Sequence, residues 1–488
     1  TLRLIELVGD GVSQLADRQI VGLTADSREV APGYLFAALP SSVADSAIDG
    51  ADFVPEAIRR GAAALLGPPG LAAKLKIPVD VPIIEDKDPR RRLSQLAAQF
   101  FAGQPKTIVA VTGTAGKSSV ADFVRQIWAA MGHSGASLGT LGVNSAPLRR
   151  KLTHTTPDPV VLHQALQDLA DADVDHLVLE ASSHGLEQRR LDWVKVMVAA
   201  FTNLSRDHLD YHADEEVYLQ AKLYLFQVVM APGGTAVLPM GSDLTDRLHA
   251  VCRARGHRIL TFGAGGDVEL LRREIVGNGQ HLSIAALGRQ AEFELPLVGA
   301  FQAENVLCAI ALILACGEDS DAVFAAAAHL TGVPGRLQAV GGHPSGGSVY
   351  VDYSHKPEAL RAAIAALRPH TKGRLIVVFG CGGDRDRGKR PQMGRIAAEL
   401  ADKTVVTDDN PRSEDPAAIR AEVLIGCPDA TEIADRGQAI ATAINWSGAG
   451  DVLLIAGKGH ETGQEIAGVT LPFDDRDVAR RVLAGGKP

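Results

Sequence analysis

The segment TIVAVTGTAGKSSV, residues 107–120, runs a short β-branched strand into a glycine-rich turn that closes on Lys117, Ser118 and Ser119. Polyphosphate chemistry needs residue types in this order. Gly113 and Gly116 let backbone N–H groups converge on phosphate oxygens, the Lys117 ammonium neutralises the outer oxygens, and the Ser118 hydroxyl can hold a magnesium ion where the next helix starts. ATP or GTP is therefore the expected ligand. The two glycines lie closer together than in the common G-x-x-x-x-G-K-[ST] loop, and an ordinary strand-turn-helix junction with a surface lysine is the competing reading.

Other groups along the chain suit the same chemistry. The strand HLVLE ends on Glu180, where an ATPase places a metal ligand, although a solvated strand-end glutamate fits equally well. NLSRDHLDYH puts Asp207, His208, Asp210 and His212 within six positions, a set that can hold a divalent cation or cap a helix, with His208 the better ligand candidate. Lys222 is the one charge in the apolar helical stretch YLQAKLYLF. Either its stem snorkels to water, or the ammonium is buried near metal and phosphates, where it serves as a counter-charge or has to be chemically changed. Three later strand ends carry Arg385, Arg387, Lys389 and Arg390 in GCGGDRDRGKR, then Asp409, Asn410 and Arg412 in TDDNPR, then Gly457, Lys458, His460 and Glu461 in AGKGHE. Guanidiniums, an amide and a carboxylate placed this way complement an amino acid with carboxylates and an ammonium; charged surface loops are the alternative.

Parallel sheets must position these groups. Runs such as KTIVAVTG, VDHLVLEAS, GRLIVVFGCGG and DVLLIAGKG alternate with Ala/Leu-rich helical stretches, the pattern of an α/β fold in which helices cover parallel strands. A length of 488 residues exceeds one hydrophobic core. Three domains are expected: a smaller N-terminal α/β domain over 1–105, a central domain with a P-loop ATPase-type parallel sheet over 106–335, and a C-terminal Rossmann-like domain over 336–488. Hydrophobic content of 46%, charged content of 22% and a net charge of -9 describe a globular enzyme whose main partner is neither nucleic acid nor an anionic membrane. No apolar run reaches the roughly 20 residues that span a bilayer, and the first residues lack a secretion-signal pattern, so a cytoplasmic location is expected. Cys252, Cys308, Cys316, Cys381 and Cys427 form no C-x-x-C pair and are expected to be buried apolar side chains in a reducing compartment.

The motifs DSREVAPGYLFAAL, GTAGKSS, THTTPDP, EASSHGLEQRR, NLSRDHLDYH, VDYSHKPEAL, FGCGGDRDRGKRP, DDNPR, AGKGHE and FDDRD, with Lys222 in AK and Arg336 in GR, span nearly the whole chain. Together they resemble the Mur ligase family, most closely its diaminopimelate-adding branch. The resemblance implies an ATP-dependent ligase, with Mg2+, that joins meso-2,6-diaminopimelate to UDP-N-acetylmuramoyl-L-alanyl-D-glutamate through an acyl phosphate, acting as a monomer. It implies that Gly113, Thr114, Gly116, Lys117, Ser118 and Ser119 grip ATP, with Asn305, Arg336, Asp352 and His355 completing the nucleotide site. Ser118, Glu180 and His208 would be magnesium ligands, and Lys222 would be carbamylated. Ser27 and Arg28 would hold the uridine diphosphate end of the substrate, and Thr155, Thr156, Ser182, Gln188 and Arg190 its muramoyl-peptide part. Arg385, Asp409, Asn410, Arg412, Gly457 and Glu461 would form the amino-acid site, where Arg412 and Glu461 pair the carboxylate and ammonium at the far end of diaminopimelate and lysine is rejected. Departures from the family's usual pattern are Ala115 and Gln302 where asparagine is frequent, the missing histidine after Asp49-Gly50, and the segment VLPMGSD.

Overall fold

The computed structural model describes residues 1–9, 18–41, 49–75, 81–205, 207, 211–241 and 243–488. They pack as two compact units, residues 1–269 with 307–326, and residues 270–306 with 327–488. The α/β class expected from the alternation of strands and helices is what both units display.

In the first unit, strands Gly22–Thr24, Tyr34–Ala37, Ala64–Gly67 and Ile83–Glu85 form a small parallel sheet in that order. The helix Pro89–Phe100 covers it, started by the Asp88 carboxylate accepting from the Arg91 amide and burying Leu93, Leu96 and Ala97. The same helix ties this layer to the larger sheet, since Arg91 pairs with Asp192 at 3.0 Å and the Ser94 hydroxyl donates to the Arg189 carbonyl at 2.5 Å.

The larger sheet runs parallel in the order Gly135–Gly139, His176–Glu180, Thr107–Thr112, Val198–Phe201, Thr235–Pro239, Arg258–Phe262. Thr107–Thr112 can occupy an inner position because its uncharged, largely β-branched residues are apolar on both faces. Register then does the positioning: Glu180 lies opposite Val111, so the strand-end carboxylate emerges beside the turn that follows Thr112. The helix Lys117–Ala130 returns over the sheet and buries Phe123, Ile127 and Trp128 completely. Burial of each such side chain stabilises by roughly 1.5–3 kcal/mol, so the apolar face fixes where the helix's first turn, with Lys117 and Ser118, must stand.

A titration follows from this packing. His163, on the helix Pro159–Asp171, is fully buried with Nε2 3.2 Å from the Asp192 carbonyl oxygen, and burial pushes its pKa down to about 4. Because the folded value lies below the unfolded one, the unfolded chain takes up a proton between about pH 6.5 and 4 that the fold refuses, and stability falls as pH falls through that window. Between pH 7 and 5 this residue should remove about 2 kcal/mol. Urea unfolding at the two pH values should show the wild type losing that much more stability than His163→Gln; equal losses would contradict the assignment.

In the second unit the sheet order is Gln338–Gly342, Ser348–Asp352, Val452–Ala456, Leu375–Phe379, Lys403–Val406, Thr431–Glu432, parallel except for the first pair. Val452–Ala456 and Leu375–Phe379 are buried along their whole length between two apolar clusters. Antiparallel hairpins, Gly279–Ala286 with Arg289–Leu295 and Gly463–Ile466 with Val469–Pro472, add to the parallel pattern. Four of the cysteines are buried as expected; Cys316, just past the helix Ala300–Ala315, is only partly so. Among the described residues no helix is long and apolar enough to cross a membrane.

Candidate functional site

The glycine-rich turn is built against the end of the neighbouring strand. Gly113 takes φ +141°, and a Cβ there would stand 1.9 Å from the Thr202 hydroxyl, so only glycine fits. Asn203 braces the turn: its carbonyl accepts from the Thr114 amide and its side-chain oxygen from the Ala115 amide, both at 2.9 Å. The bracing comes from Asn203 to the backbone of residue 115, so it does not need an asparagine at the position Ala115 occupies. Gly116 at φ +87° leads into Lys117, whose Nζ donates to the carbonyls of Gly113 at 2.9 Å and Thr114 at 3.0 Å. Ser119 is buried in the same first turn. The amides of a helix's first turn have no intrahelical acceptor, and here they face the turn, as phosphate binding requires.

Glu180 is not a solvated strand-end residue, being 2% exposed. Its Oε2 accepts from the Ser118 hydroxyl at 2.9 Å, and its Oε1 from the Thr140 amide at 2.8 Å. Gly139 makes room for it, since a Cβ there would lie 2.1 Å from Oε1. A hydroxyl and a carboxylate side by side at the mouth of a phosphate loop are hard oxygen donors that suit Mg2+. Of the third expected ligand, His208, nothing can be added, because it lies outside the described residues together with Asp210. The helix that follows is capped by Asp214, which accepts from the Val217 amide at 2.8 Å, rather than by Asp207 or Asp210. The helix starts too late for either of them to serve. His212 is buried with Nε2 3.0 Å from the Ser183 hydroxyl.

Lys222 does not snorkel. It is 1% exposed, and its Nζ donates to the Gly113 carbonyl at 2.9 Å, the same oxygen that Lys117 holds. Burial first, and the Lys117 ammonium second, hold its pKa well below the ordinary lysine value, with Asp207 opposing. The Tyr218 ring lies 4.3 Å from Nζ, and the Tyr218 hydroxyl is 3.1 Å from that of Thr114. Burial pushes this phenol up to about 12. The chemistry available is thus a desolvated amine, one turn-bound ammonium and a carboxylate–hydroxyl pair around one turn.

The residues assigned to the muramoyl-peptide part join this centre directly. The Thr156 hydroxyl donates to the Glu180 carbonyl at 2.8 Å and accepts from the Ser182 amide at 3.0 Å. Thr155 and Thr140 share a hydroxyl contact at 2.9 Å. Arg190 reaches the Thr156 carbonyl at 2.6 Å and the Gln188 side-chain oxygen at 2.7 Å. The Ser182 hydroxyl serves as a helix cap, accepting from the Gly185 amide. Ser27 and Arg28 sit apart in the small-sheet layer: Ser27 is buried, while Arg28 is exposed and paired with Asp26 at 2.6 Å.

The second unit gathers two further sets. Asn305 donates to Gln302 at 3.1 Å, and Gln302 lies 3.5 Å from the Arg336 carbonyl. Asp352 accepts from the Leu337 amide at 2.7 Å, the Arg336 guanidinium lies 4.9 Å from the Tyr353 ring centroid, and His355 Nδ1 is 2.8 Å from the Tyr353 carbonyl. Burial pushes His355 and His460 down to about 4, so both are neutral near pH 7. The other set stands where the adjacent strands Val452–Ala456, Leu375–Phe379 and Lys403–Val406 end. Arg412 takes φ +52°, costly for arginine, held by bonds from its amide to Glu465 and from Ala467 to its carbonyl. Its Nη1 donates to the Gly383 carbonyl at 2.7 Å. Gly457, at φ +123°, leaves Arg436 Nη2 and the Asp409 carboxylate within 3.6 Å of where a side chain would begin. Arg385 is exposed, with Nη1 3.2 Å from the Asp384 carbonyl.

Two arrangements here were not read from the sequence. The Arg412 side chain pairs with Glu465 at 3.1 Å, while Glu461 accepts from Asn410 at 3.0 Å. Lys458, fully buried, sits among Asn410 Oδ1 at 2.8 Å, Glu461 at 3.4 Å and Asp409 at 3.5 Å. Behind it, the wholly buried pair Arg436–Asp475 at 2.7 Å also bonds the Ala456 carbonyl, joining strand end and last helix. Lys458 and Asp475 lie in AGKGHE and FDDRD, but only tertiary contact discloses their partners.

Three family profiles match the chain: "Mur ligase family, catalytic domain" over residues 19–101, "Mur ligase middle domain" over 111–313, and "Mur ligase, glutamate ligase domain" over 335–459. Among curated relatives, the UDP-N-acetylmuramoyl-L-alanyl-D-glutamate–2,6-diaminopimelate ligase of Caulobacter vibrioides is 50% identical, covering 96% of each chain. The ligase of the same name from Rhizobium meliloti is 45% identical over 99% of this chain and 100% of its own. A solved structure of a ligase with that name superposes with a TM-score of 0.70 at 33% identity, over 99% of both chains.

Proposed function

The chain belongs to the Mur ligase family, and from that premise we propose that it adds meso-2,6-diaminopimelate to UDP-N-acetylmuramoyl-L-alanyl-D-glutamate, using ATP, in peptidoglycan precursor synthesis. One observation carries the chemistry: the phosphate turn, the buried Ser118–Glu180 pair and the desolvated Lys222 meet at the same place, with Thr156 and Arg190 bonded onto it. Lys117 neutralises the γ-phosphate as it moves to the γ-carboxylate of the substrate's D-glutamate, giving an acyl phosphate that the amine of diaminopimelate attacks. The protein's task is positioning and charge neutralisation, since phosphoryl transfer asks little covalent work of side chains. Ser118, Glu180 and His208 would hold Mg2+, which would supply positive charge to spread the developing phosphate charge. Lys222, whose pKa burial lowers, attacks CO2 through its nitrogen lone pair once deprotonated and loses a further proton, and the resulting carbamate is an anion suited to orient that metal. Thr155, Ser182 and Gln188 position the muramoyl peptide, and Ser27 and Arg28 the uridine diphosphate end. Asn305, Arg336, Asp352 and His355 complete the nucleotide site. Domains 1–105, 106–335 and 336–488 divide these tasks, in a cytoplasmic monomer.

Arg385, Asp409, Asn410, Arg412, Gly457 and Glu461 form the amino-acid subsite, with Lys458 as the buried cation that sets their geometry. Replacing Lys458 by Met leaves the carboxylates of Asp409 and Glu461 without their shared counter-charge. The KM for diaminopimelate should rise roughly 10- to 100-fold while that for ATP moves little. An unchanged KM would show the lysine to be filler.

The direct test is a ligation assay with the nucleotide-linked dipeptide, ATP and a panel of amino acids, reading product mass and phosphate. Diaminopimelate should work and lysine should be poorer by at least about 10³-fold, because lysine lacks the distal carboxylate that Arg412 would bind in addition to its contacts with Glu465 and Gly383. Lysine working equally well would make this a lysine-adding relative. ATP binding without ligation of any amino acid would make it a nucleotide-regulated binding protein.

A further inference from the structure

We infer that the first unit carries a second metal site, for a divalent transition-metal ion, built from His133, His176 and Asp175 with Glu318 behind, at the end of the sheet away from the phosphate turn. His176 opens the strand His176–Glu180 that Glu180 closes, about 13 Å away along an extended chain. His133 follows the helix Lys117–Ala130 whose other end holds Ser118. The two imidazole rings face each other with centroids 4.3 Å apart, and the His176 ring also lies 5.0 Å from that of the buried Trp128. Each ring is held by its own carboxylate: His176 Nδ1 is 2.8 Å from Asp175 Oδ1, and His133 Nε2 is 3.0 Å from Glu318 Oε1.

Glu318 on His133 Nε2 keeps the proton there and leaves the Nδ1 lone pair free, the arrangement that metal-binding histidines share, while an ion would take the place of the proton between His176 Nδ1 and Asp175 Oδ1. Two imidazoles so oriented, in ring contact, repel if both are protonated and become a donor pair if both are neutral. One ligand atom from each of His133, Asp175 and His176 lies within 4.8 Å of the others. With metal–ligand bonds of about 2.1 Å in a tetrahedral set, ligand atoms stand about 3.4 Å apart, so side-chain movements on the order of 1 Å close the set. Two imidazoles and one carboxylate favour Zn2+, Co2+ or Ni2+ over Mg2+. The side chains of His133, His176, Asp175 and Glu318 are 28%, 13%, 42% and 25% exposed, open enough for a hydrated ion to enter without unfolding. An ion here would clamp the helix and the strand whose far ends present Ser118 and Glu180, so loading should raise thermal stability and leave ligation nearly unchanged.

The test is Co2+ titration of the full-length protein in saturating Mg2+, read by visible absorption and by the shift in melting temperature. The wild type should bind one more equivalent than His133→Gln/His176→Gln, with a Co2+-dependent rise in melting temperature that the variant lacks. Glu318→Gln, a partly buried and milder change, should weaken Co2+ by about 10-fold or more through the His133 ring. Ligation at the wild-type rate confirms that the variants are folded. The same stoichiometry, spectrum and melting shift in wild type and double variant would overturn the site.

Discussion

Lys117→Ala should lower the rate of product formation by about 10³-fold or more while the protein still folds and melts near the wild-type temperature. Removing a single donor aimed at developing charge costs 10² to 10³ in rate, and this ammonium also keeps the phosphate turn's carbonyls occupied. Its contribution to stability is small, since the side chain is only partly buried and bonds two carbonyls of its own turn. Single-turnover phosphate release, with circular dichroism on the same sample, separates the two effects. Product at the normal rate would refute the role assigned to Lys117.

Lys222→Ala should be nearly as damaging, about 10²-fold or more, for a different reason. Burial and the neighbouring Lys117 ammonium push the Lys222 pKa down, which favours the neutral amine over the cation, and its proposed work is done as a carbamate. Formate or acetate added to the variant should therefore restore part of the rate by supplying a carboxylate in the vacated space, whereas methylamine should not. Rescue by the amine alone would show that the residue acts as a positive charge. Because the side chain is buried, the variant should also lose about 2 kcal/mol of stability, which a parallel melt records.

The phosphate turn was legible because its chemistry is local: strand, two glycines, lysine and serine follow in order, and the Gly113 conformation needs no distant partner to be anticipated. Glu180 was only half legible. Its position at a strand end is a matter of sequence, but its burial depends on the register with Thr107–Thr112 and on Gly139 leaving space. Lys222 had two readings, and packing against Tyr218 and the Gly113 carbonyl selects the buried one. In the second unit the three loops were visible individually, whereas the pairing of Asn410 with Glu461 and Lys458, and of Arg412 with Glu465, joins segments that lie far apart in the chain. Helix capping by Asp214 illustrates a different limit: several aspartates compete within one short stretch, and the one nearest the first apolar turn wins. The antiparallel hairpin of Gly279–Ala286 with Arg289–Leu295 turns on Leu287-Gly288, both at positive φ, and a leucine in the first turn position is a weak signal beside the stronger parallel pattern around it.

Transfer of an ¹⁸O label is the most direct measure of carboxylate activation. With ¹⁸O in the γ-carboxylate of the substrate's D-glutamate, one labelled oxygen should appear in the released phosphate for each diaminopimelate joined, as an acyl phosphate demands. Label found in AMP, or phosphate released without label while product forms, would contradict phosphoryl transfer at the Lys117–Glu180 centre.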